Sequence, residues 1–337
     1  MKTKISALLL VLFIFSNNVF ADFSVIGSLE RKINSYIVSL QEEKDKNLKE
    51  GENKENTNET TNEENADEEV ISENTAKEDV LKKPVLERRK PTVSYSSLPN
   101  KSYGWYFRHP SKLNSGLPAG AGDVESSLVK KYNGIWQHPK DYKVVYITFD
   151  EGYEYNNNTT RILDIAKQKG VKFNFFVTGA YIKDRPDLVL RMINEGHTVG
   201  NHTNKHLNGP KALNVSNQKL INDITQAEVL YKNLTGQDFM PYMRPPEGAF
   251  SERELAIVRD LGYRSVFWSF AYADWDTGKQ PSKSHALSKI TGELHNGSVI
   301  LLHAVSTTNT EILPDIIDNI LKRGYKVETL DKIPSYE

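Results

Sequence analysis

Short β-forming runs alternate with helical segments seven times between Lys143 and Leu330, and this alternation limits the possible folds more than any other feature. Strands that alternate with helices pair in parallel through right-handed crossovers, and about 195 residues suffice to roll such a sheet into a barrel. The sequence therefore predicts an α/β barrel of seven units. Its predicted strands are residues 143–150, 173–177, 198–202, 242–246, 264–270, 298–303 and 325–330. Its predicted helices are residues 159–169, 186–195, 216–235, 251–261, 284–294 and 310–323.

Polar residues stand at or just after the carboxyl ends of five predicted strands. In parallel barrels this edge carries the chemistry. Side chains that are far apart in the sequence would meet there, which is not expected of residues with structural duties alone. These residues are Asp150 and Glu151 at the first strand, His202 at the third, Arg244 at the fourth, Asp274 after the fifth and His303 at the sixth.

The chain before the barrel changes composition in steps. Lysines followed by an apolar run and small residues predict a signal peptide, or an uncleaved anchor, over residues 1–21. Apolar residues at helical spacing indicate a short amphipathic helix at 22–41. Residues 42–100 are predicted to be a disordered acidic linker, because residues 51–80 hold eleven acidic residues, two lysines and no aromatic residue. The folded domain then occupies residues 101–337.

This composition also limits location and partners. The N-terminal segment predicts export across the cytoplasmic membrane, with the protein either secreted or anchored in the cell envelope. The chain has no cysteine, so an exported form has no disulfide, and any metal must be held by histidines and carboxylates. Its basic clusters are brief and lack interleaved aromatic residues, which argues against a nucleic-acid partner. A monomer is expected.

His202 and His206 stand four residues apart just past a strand end, where one turn lets both imidazoles approach a single ion. The alternative is that both are solvated loop residues. A carboxylate as third ligand would strengthen the metal hypothesis, and the candidates are Asp150 and Glu151. Zinc suits two imidazoles and an oxygen ligand, although manganese, cobalt or magnesium could also bind.

Other residues of the predicted rim have their own alternatives. His303 follows an apolar strand and is either a buried core histidine or a general acid. Arg244, before two prolines, could hold a carboxylate by a bidentate contact or form an ordinary salt bridge. Trp275 and Tyr153 are packing residues or platforms for sugar rings.

Five ordered motifs resemble those of the polysaccharide deacetylases, carbohydrate esterase family 4. The resemblance covers the chain from about Tyr103 to its end and implies a distorted (β/α)7 barrel. The motifs are Thr148-Phe-Asp-Glu-Gly152, His202-Thr-Asn-Lys-His206, Arg244-Pro-Pro-Glu-Gly248, Ala271-Tyr-Ala-Asp-Trp275 and Leu301-Leu-His303.

The resemblance implies a role for each matching residue. Asp150 would be the general base, oriented by Arg244, and His303 the general acid. His202 and His206 would bind a divalent metal ion, and a backbone N–H near Glu247 would help to hold the oxyanion. Asp274, Trp275 and Tyr153 would support or contact the substrate.

Two positions depart from the commonest pattern of the family. Glu151 replaces an aspartate that serves as the third metal ligand, so its longer side chain would have to ligate differently. Ala271 stands where the family often has an aspartate, which leaves His303 without that carboxylate partner. Both departures resemble the branch of spore-cortex enzymes that de-N-acetylate muramic acid.

That branch implies a metal-dependent hydrolase that removes the N-acetyl group from peptidoglycan N-acetylmuramic acid lacking its stem peptide. This reaction is a step toward the muramic-δ-lactam of the spore cortex, which is needed for cortex recognition in germination, and it would place the enzyme in the forespore intermembrane space. The partner would be peptidoglycan glycan strands, and an accessory cell-envelope protein stays open. One alternative is a de-N-acetylase of N-acetylglucosamine in peptidoglycan or chitin-like glycan. Another is a non-catalytic glycan-binding module.

Overall fold

The computed structural model of the chain describes residues 85–108, 120–138 and 142–333. The predicted signal peptide or anchor, the predicted amphipathic helix and most of the predicted linker lie outside these ranges. No helix in the described part of the chain combines the length and apolar character needed to cross a bilayer.

The strands of the described residues, in chain order, are β1 (Tyr103–Gly104), β2 (Val144–Glu151), β3 (Asn174–Val177), β4 (Thr198–Asn201), β5 (Tyr242–Met243), β6 (Ala249–Phe250), β7 (Arg264–Ser265), β8 (Ser298–His303) and β9 (Lys326–Val327). The α-helices of the same residues are α1 (Asp123–Lys131), α2 (Asn158–Lys169), α3 (Gly179–Asp184), α4 (Pro186–Asn194), α5 (Gly209–Val215), α6 (Asn217–Thr235), α7 (Glu252–Asp260), α8 (Lys283–Gly292) and α9 (Thr307–Lys322). Short 3₁₀ helices lie at Tyr95–Ser97, Pro246–Gly248 and Leu330–Lys332.

Seven of these strands, all within residues 142–333, form one parallel sheet in the order β7-β5-β4-β3-β2-β8, with β9 also paired to β2. After β7 the chain returns to the opposite edge, where Phe270 pairs with Ile300 of β8. The amide of Ser269 donates a hydrogen bond of 2.9 Å to the carbonyl of Val299 at the same place. The sheet therefore curls toward a barrel, and the predicted α/β alternation is confirmed.

The longest strands and helices form where the sequence signals are densest. Strand β2 is apolar and β-branched or aromatic over most of its length and is almost wholly buried, as expected of a strand covered on both faces. Helix α2 ends at Gly170, whose φ of 66° is a left-handed conformation that glycine adopts without strain. Helix α6 begins after Ser216, whose side chain accepts a hydrogen bond from the amide of Lys219.

Three predicted strands are much shorter in the structure than in the prediction, and the last of them, predicted at 325–330, is regular only at Lys326–Val327. The segment predicted at 242–246 is regular only at Tyr242–Met243, because Pro245 and Pro246 have no amide hydrogen to continue the ladder. The segment predicted at 264–270 is regular only at Arg264–Ser265 and then makes isolated bridges. Helices α1, α3 and α5 were not predicted, since six to nine residues carry little helical periodicity.

The last part of the predicted linker, residues 85–100, packs against the barrel. The amide of Arg89 donates to the carbonyl of Asp260 at 2.8 Å. The Arg253 guanidinium donates to the carbonyl of Leu98 at 2.8 Å, and the Asn100 side chain donates to the carbonyl of Pro210 at 3.0 Å. These contacts make residues 85–100 part of the folded region.

Candidate active site

A cleft of about 770 Å³ opens at the carboxyl ends of the parallel strands. The residues predicted for the rim converge there because parallel strands present their carboxyl ends at one edge. Asp150 and His303 are register partners on the neighbouring strands β2 and β8, and His202 follows β4. Predicted residues that line the cleft are Asp150, Tyr153, His202, His206, Glu247, Trp275 and His303.

Arg244 is fully buried below the cleft and pairs with Asp150. Its Nη1 lies 2.7 Å from Oδ1 of Asp150, while its other nitrogens donate to the carbonyls of Val266 and Phe267. The guanidinium also stacks 4.2 Å from the ring centre of Phe176. Burial, the largest single effect, would raise the pKa of Asp150, but the charges of Arg244, His202 and His303 together with the Arg244 hydrogen bond outweigh it and lower the pKa. Asp150 is therefore an ionised carboxylate at neutral pH.

The two imidazoles of the second motif lie together at the cleft, with ring centres 4.8 Å apart. Nδ1 of His202 lies 2.9 Å from the carbonyl oxygen of Arg244, which can only accept, so Nδ1 carries the proton. Burial lowers the pKa of His202 to about 4, which keeps its Nε2 a lone-pair acceptor. This Nε2 faces Oδ2 of Asp150 at 3.5 Å.

This arrangement fits a divalent cation in part. A lone pair and a carboxylate that face each other are stabilised by a positive ion, and a backbone carbonyl behind a histidine is the usual second partner of a metal ligand. Within the described residues, however, no three His, Cys, Asp or Glu side chains are grouped to hold a metal. His202 and His206 are the side chains that would hold the ion, and the Asp150 carboxylate faces Nε2 of His202 at 3.5 Å.

Glu151 is turned away from the cleft, which contradicts its predicted role as a third metal ligand. Both carboxylate oxygens lie 3.2 Å from the hydroxyl of Thr159 on helix α2. Asp150 contacts Arg244 at the cleft, whereas the neighbouring Glu151 turns toward helix α2. Burial, and then the charge of Glu154, raises the pKa of Glu151 well above its usual value. Glu151 is accordingly a neutral buried side chain.

His303 has a carboxylate partner after all, which corrects the expectation drawn from Ala271. Its Nδ1 lies 2.7 Å from Oδ1 of Asp274, and its backbone amide donates to Oδ2 at 2.9 Å. The buried Asp274 also accepts a hydrogen bond of 2.6 Å from the side chain of Asn309. Burial alone would lower the pKa of His303, but the charge and hydrogen bond of Asp274 outweigh it and raise the pKa. The imidazole can therefore hold a proton near neutral pH.

The remaining predicted residues frame the cleft. Trp275 is 57% exposed and meets the His303 ring edge-on at 5.8 Å, and Tyr153 is 52% exposed. Glu247 adopts a left-handed backbone with φ of 60°, and its carboxylate accepts a hydrogen bond of 2.8 Å from Asn208. Two exposed rings beside the catalytic pairs suit the face of a sugar.

Several residues of this site were not predicted from the sequence. Asn309 and Tyr272 extend the support of Asp274, since the Tyr272 hydroxyl donates to the Asn309 side chain. Asn208 fixes the Glu247 carboxylate, and Lys205 lines the cleft between the two histidines. A signal was present for Lys205 and Tyr272, which lie inside the second and fourth motifs, whereas Asn208 and Asn309 lie outside all five motifs.

Comparison with known proteins agrees with this geometry. Residues 137–266 match the model of the family described as Polysaccharide deacetylase. A Peptidoglycan-N-acetylmuramic acid deacetylase, PdaA of Bacillus subtilis (strain 168), is 37% identical over 238 residues, which are 70% of this chain and 88% of that protein. The chain belongs to the polysaccharide deacetylase family. It is therefore a hydrolase of amide bonds, in a family that generally depends on a divalent metal ion.

Solved structures of polysaccharide deacetylases show the same fold. The structure of Bacillus subtilis PdaA, a family 4 carbohydrate esterase, aligns with a TM-score of 0.64 at 35% identity and covers 70% of this chain and 98% of that one. A family 4 carbohydrate esterase from Bacillus anthracis aligns with a TM-score of 0.58 at 38% identity, with the same coverage of both chains. These likenesses confirm the predicted distorted (β/α)7 barrel.

Proposed function

We propose that this deacetylase removes the N-acetyl group from N-acetylmuramic acid in peptidoglycan whose stem peptide is absent. The observation that carries the proposal is the pair of supported proton-transfer groups in one cleft: Asp150 held by Arg244, and His303 held by Asp274. The choice of sugar is supported by the 37% identity to a Peptidoglycan-N-acetylmuramic acid deacetylase over most of that protein.

Asp150 acts as the general base. Its carboxylate stays ionised beside Arg244 and takes a proton from the water that attacks the acetamide carbonyl. Because the guanidinium is anchored by two backbone carbonyls, the carboxylate is oriented before substrate arrives. The attack converts the carbonyl into a tetrahedral oxyanion, which a backbone N–H near Glu247 helps to hold.

His303 acts as the general acid. Asp274 orients the ring through Nδ1, so Nε2 carries the transferable proton. That proton passes to the amide nitrogen as the C–N bond breaks, and the products are acetate and an amino sugar. Trp275 packs at the edge of the same ring and limits its movement.

His202 and His206 are the residues that would hold a divalent ion, and zinc is the ion we propose because imidazole ligands suit it. Such an ion would supply Lewis-acid polarisation of the amide carbonyl. Metal analysis of the purified protein would identify it, with manganese, cobalt and magnesium as the other outcomes.

Mass spectrometry of treated glycan strands tests the proposed substrate. Strands freed of stem peptides should lose acetyl groups from muramic acid, and Asp150→Asn should stop this reaction while the folded structure persists. Loss of acetyl from glucosamine alone would instead support the alternative enzyme, for which relatives exist among the Peptidoglycan-N-acetylglucosamine deacetylases of Bacillus cereus, one 33% identical over 196 residues. Binding of glycan without acetate release would support a glycan-binding module.

The biological setting is part of the proposal. We propose export through residues 1–21 and a step toward the muramic-δ-lactam of spore cortex. In that lactam the freed amine has formed a C–N bond to the neighbouring lactyl carboxyl carbon, with loss of one carboxyl oxygen as water. Muropeptides from a deletion strain should then lack the lactam. Fractionation of cells that produce the full chain tests export, since a cytoplasmic protein would contradict it.

A further inference from the structure

Among the described residues that line the cleft, Lys205 is the one lysine or arginine. The carboxylates Asp150 and Glu247 line it as well, and the buried Arg244 guanidinium is engaged with Asp150. The Lys205 side chain is exposed and forms no ion pair with another residue of the described ranges. The Lys205 ammonium is therefore open to a negatively charged group of the substrate.

The backbone of Lys205 is fixed, although its ammonium group forms no ion pair within residues 85–108, 120–138 and 142–333. Its amide donates to Oδ1 of the buried Asp223 on helix α6 at 3.0 Å, and the Asn204 amide donates to the carbonyl of Asp223 at 2.8 Å. The Asp223 carboxylate is thereby used by backbone groups and not by the lysine. Backbone hydrogen bonds to Asp223 hold the turn against α6, so the fold does not need the Lys205 ammonium group. That group is therefore available to bind a ligand.

The substrate class of the proposed function carries a matching charge. Muramic acid differs from glucosamine by a lactyl ether at C3, next to the C2 atom that bears the acetamide. Without a stem peptide the lactyl group ends in a free carboxylate, and with a stem peptide this carboxylate becomes a neutral amide. Asp150, His303 and Lys205 line the same cleft, so an acetamide placed between Asp150 and His303 keeps the lactyl group of the same sugar within the cleft that Lys205 lines.

We propose that the Lys205 ammonium binds the free lactyl carboxylate of muramic acid and so determines the preference for stem-free muramic acid. This inference depends on the proposed function. A flexible ammonium suits a single carboxylate on a mobile lactyl arm, since it acts as a point charge without a fixed direction. The Glu247 carboxylate, which also lines the cleft, accepts a hydrogen bond of 2.8 Å from the Asn208 side chain and is not ion-paired with Lys205.

Kinetics on three acceptors test the proposal: stem-free peptidoglycan strands, the same strands with the lactyl carboxyl converted to a methylamide, and chitin oligosaccharide. Lys205→Gln should raise KM on the free-lactyl strands about two- to fivefold, as for an exposed charge pair, with little change in kcat. On the other two acceptors it should change little. Lys205→Arg should retain most of the affinity, and added salt should weaken binding to wild type more than to Lys205→Gln.

Lys219→Gln is the matched control, because Lys219 is an exposed lysine at the start of α6 that does not line the cleft. It should behave as wild type on all three acceptors. If Lys205→Gln changes KM equally on every acceptor, or on none, the inference about Lys205 is wrong. The proposed function still stands in that case if the enzyme releases acetate from muramic acid. Wild-type activity confined to chitin oligosaccharide would overturn both.

Discussion

Nδ1 of His303 lies 2.7 Å from Oδ1 of Asp274, a residue that reaches the imidazole from the loop between β7 and α8. The same carboxylate accepts from the His303 amide and from the Asn309 side chain, so three donors fix it. The pair supplies both the orientation and the raised pKa that a general acid needs near neutral pH.

Asp274→Asn should therefore lower kcat and shift the pH profile. A general acid must be protonated, so the rate falls as pH rises through the pKa of His303. Asp274 raises that pKa, and its loss should move the descending limb to lower pH and lower kcat by about a hundredfold or more. Acetate release measured from pH 5 to 9, a window of about two units either side of neutrality, checks both changes. Asp276→Asn, in the same loop, should keep the wild-type profile.

Arg244→Lys should cost both activity and stability. Lysine cannot reproduce three separate donors and a flat stack on Phe176, so Asp150 would lose its orientation inside the fold. We expect the free energy of unfolding to fall by about 3–5 kcal/mol and turnover to drop by about a hundredfold. Urea unfolding and acetate release measure the two effects. Arg253→Lys, which alters contacts to the Leu98 carbonyl outside the cleft, should leave turnover unchanged.

Much of the barrel could be predicted because its signals are local. β8 was predicted with its observed bounds, and α6 with its Ser216 cap, since β-forming density and a capping serine act within a few residues. The loop that carries Asp274 has no such pattern. Its path depends on contacts with Asn309, more than thirty residues away, and no local sequence pattern indicates contacts at that separation.

The prediction of Glu151 as a metal ligand rested on its position in a family motif. A motif gives the residue type at a position but not the direction in which a longer side chain turns at the end of a strand. In the structure Asp150 contacts Arg244, whereas Glu151 contacts Thr159.

Glu151→Gln should therefore leave metal binding intact. The neutral Glu151 carboxyl contacts Thr159 and not the two imidazoles, so metal affinity should stay within about twofold of wild type. His206→Gln removes a predicted metal ligand. We expect metal affinity to fall by more than about a hundredfold, which is the upper end of the loss seen when a residue that hydrogen-bonds to a ligand is removed. Metal content after equilibrium dialysis distinguishes the variants. Equal losses in both would restore Glu151 as a ligand.

Glu254 should make the folded protein less stable as pH rises. Its carboxyl is fully buried in α7, both oxygens lack a hydrogen-bond partner among the described residues, and burial raises its pKa to about 8. Ser251 caps the Glu254 amide, but the return bond of a capping box is not made. The folded state therefore binds this proton more tightly than the unfolded chain, whose glutamate has its ordinary pKa of 4.5.

The contribution of Glu254 to stability is full below about pH 4.5 and is lost as pH rises through about 8. Glu254→Gln should remove this slope, which we expect to be on the order of a few kcal/mol between pH 5 and pH 8. Urea unfolding at both pH values measures it. Glu252→Gln on the same helix should keep the wild-type slope, because the hydrogen bond from Lys131 lowers the pKa of Glu252 and it does not titrate in this window. Identical slopes for wild type and Glu254→Gln would mean that the Glu254 carboxyl is ionised in the folded protein.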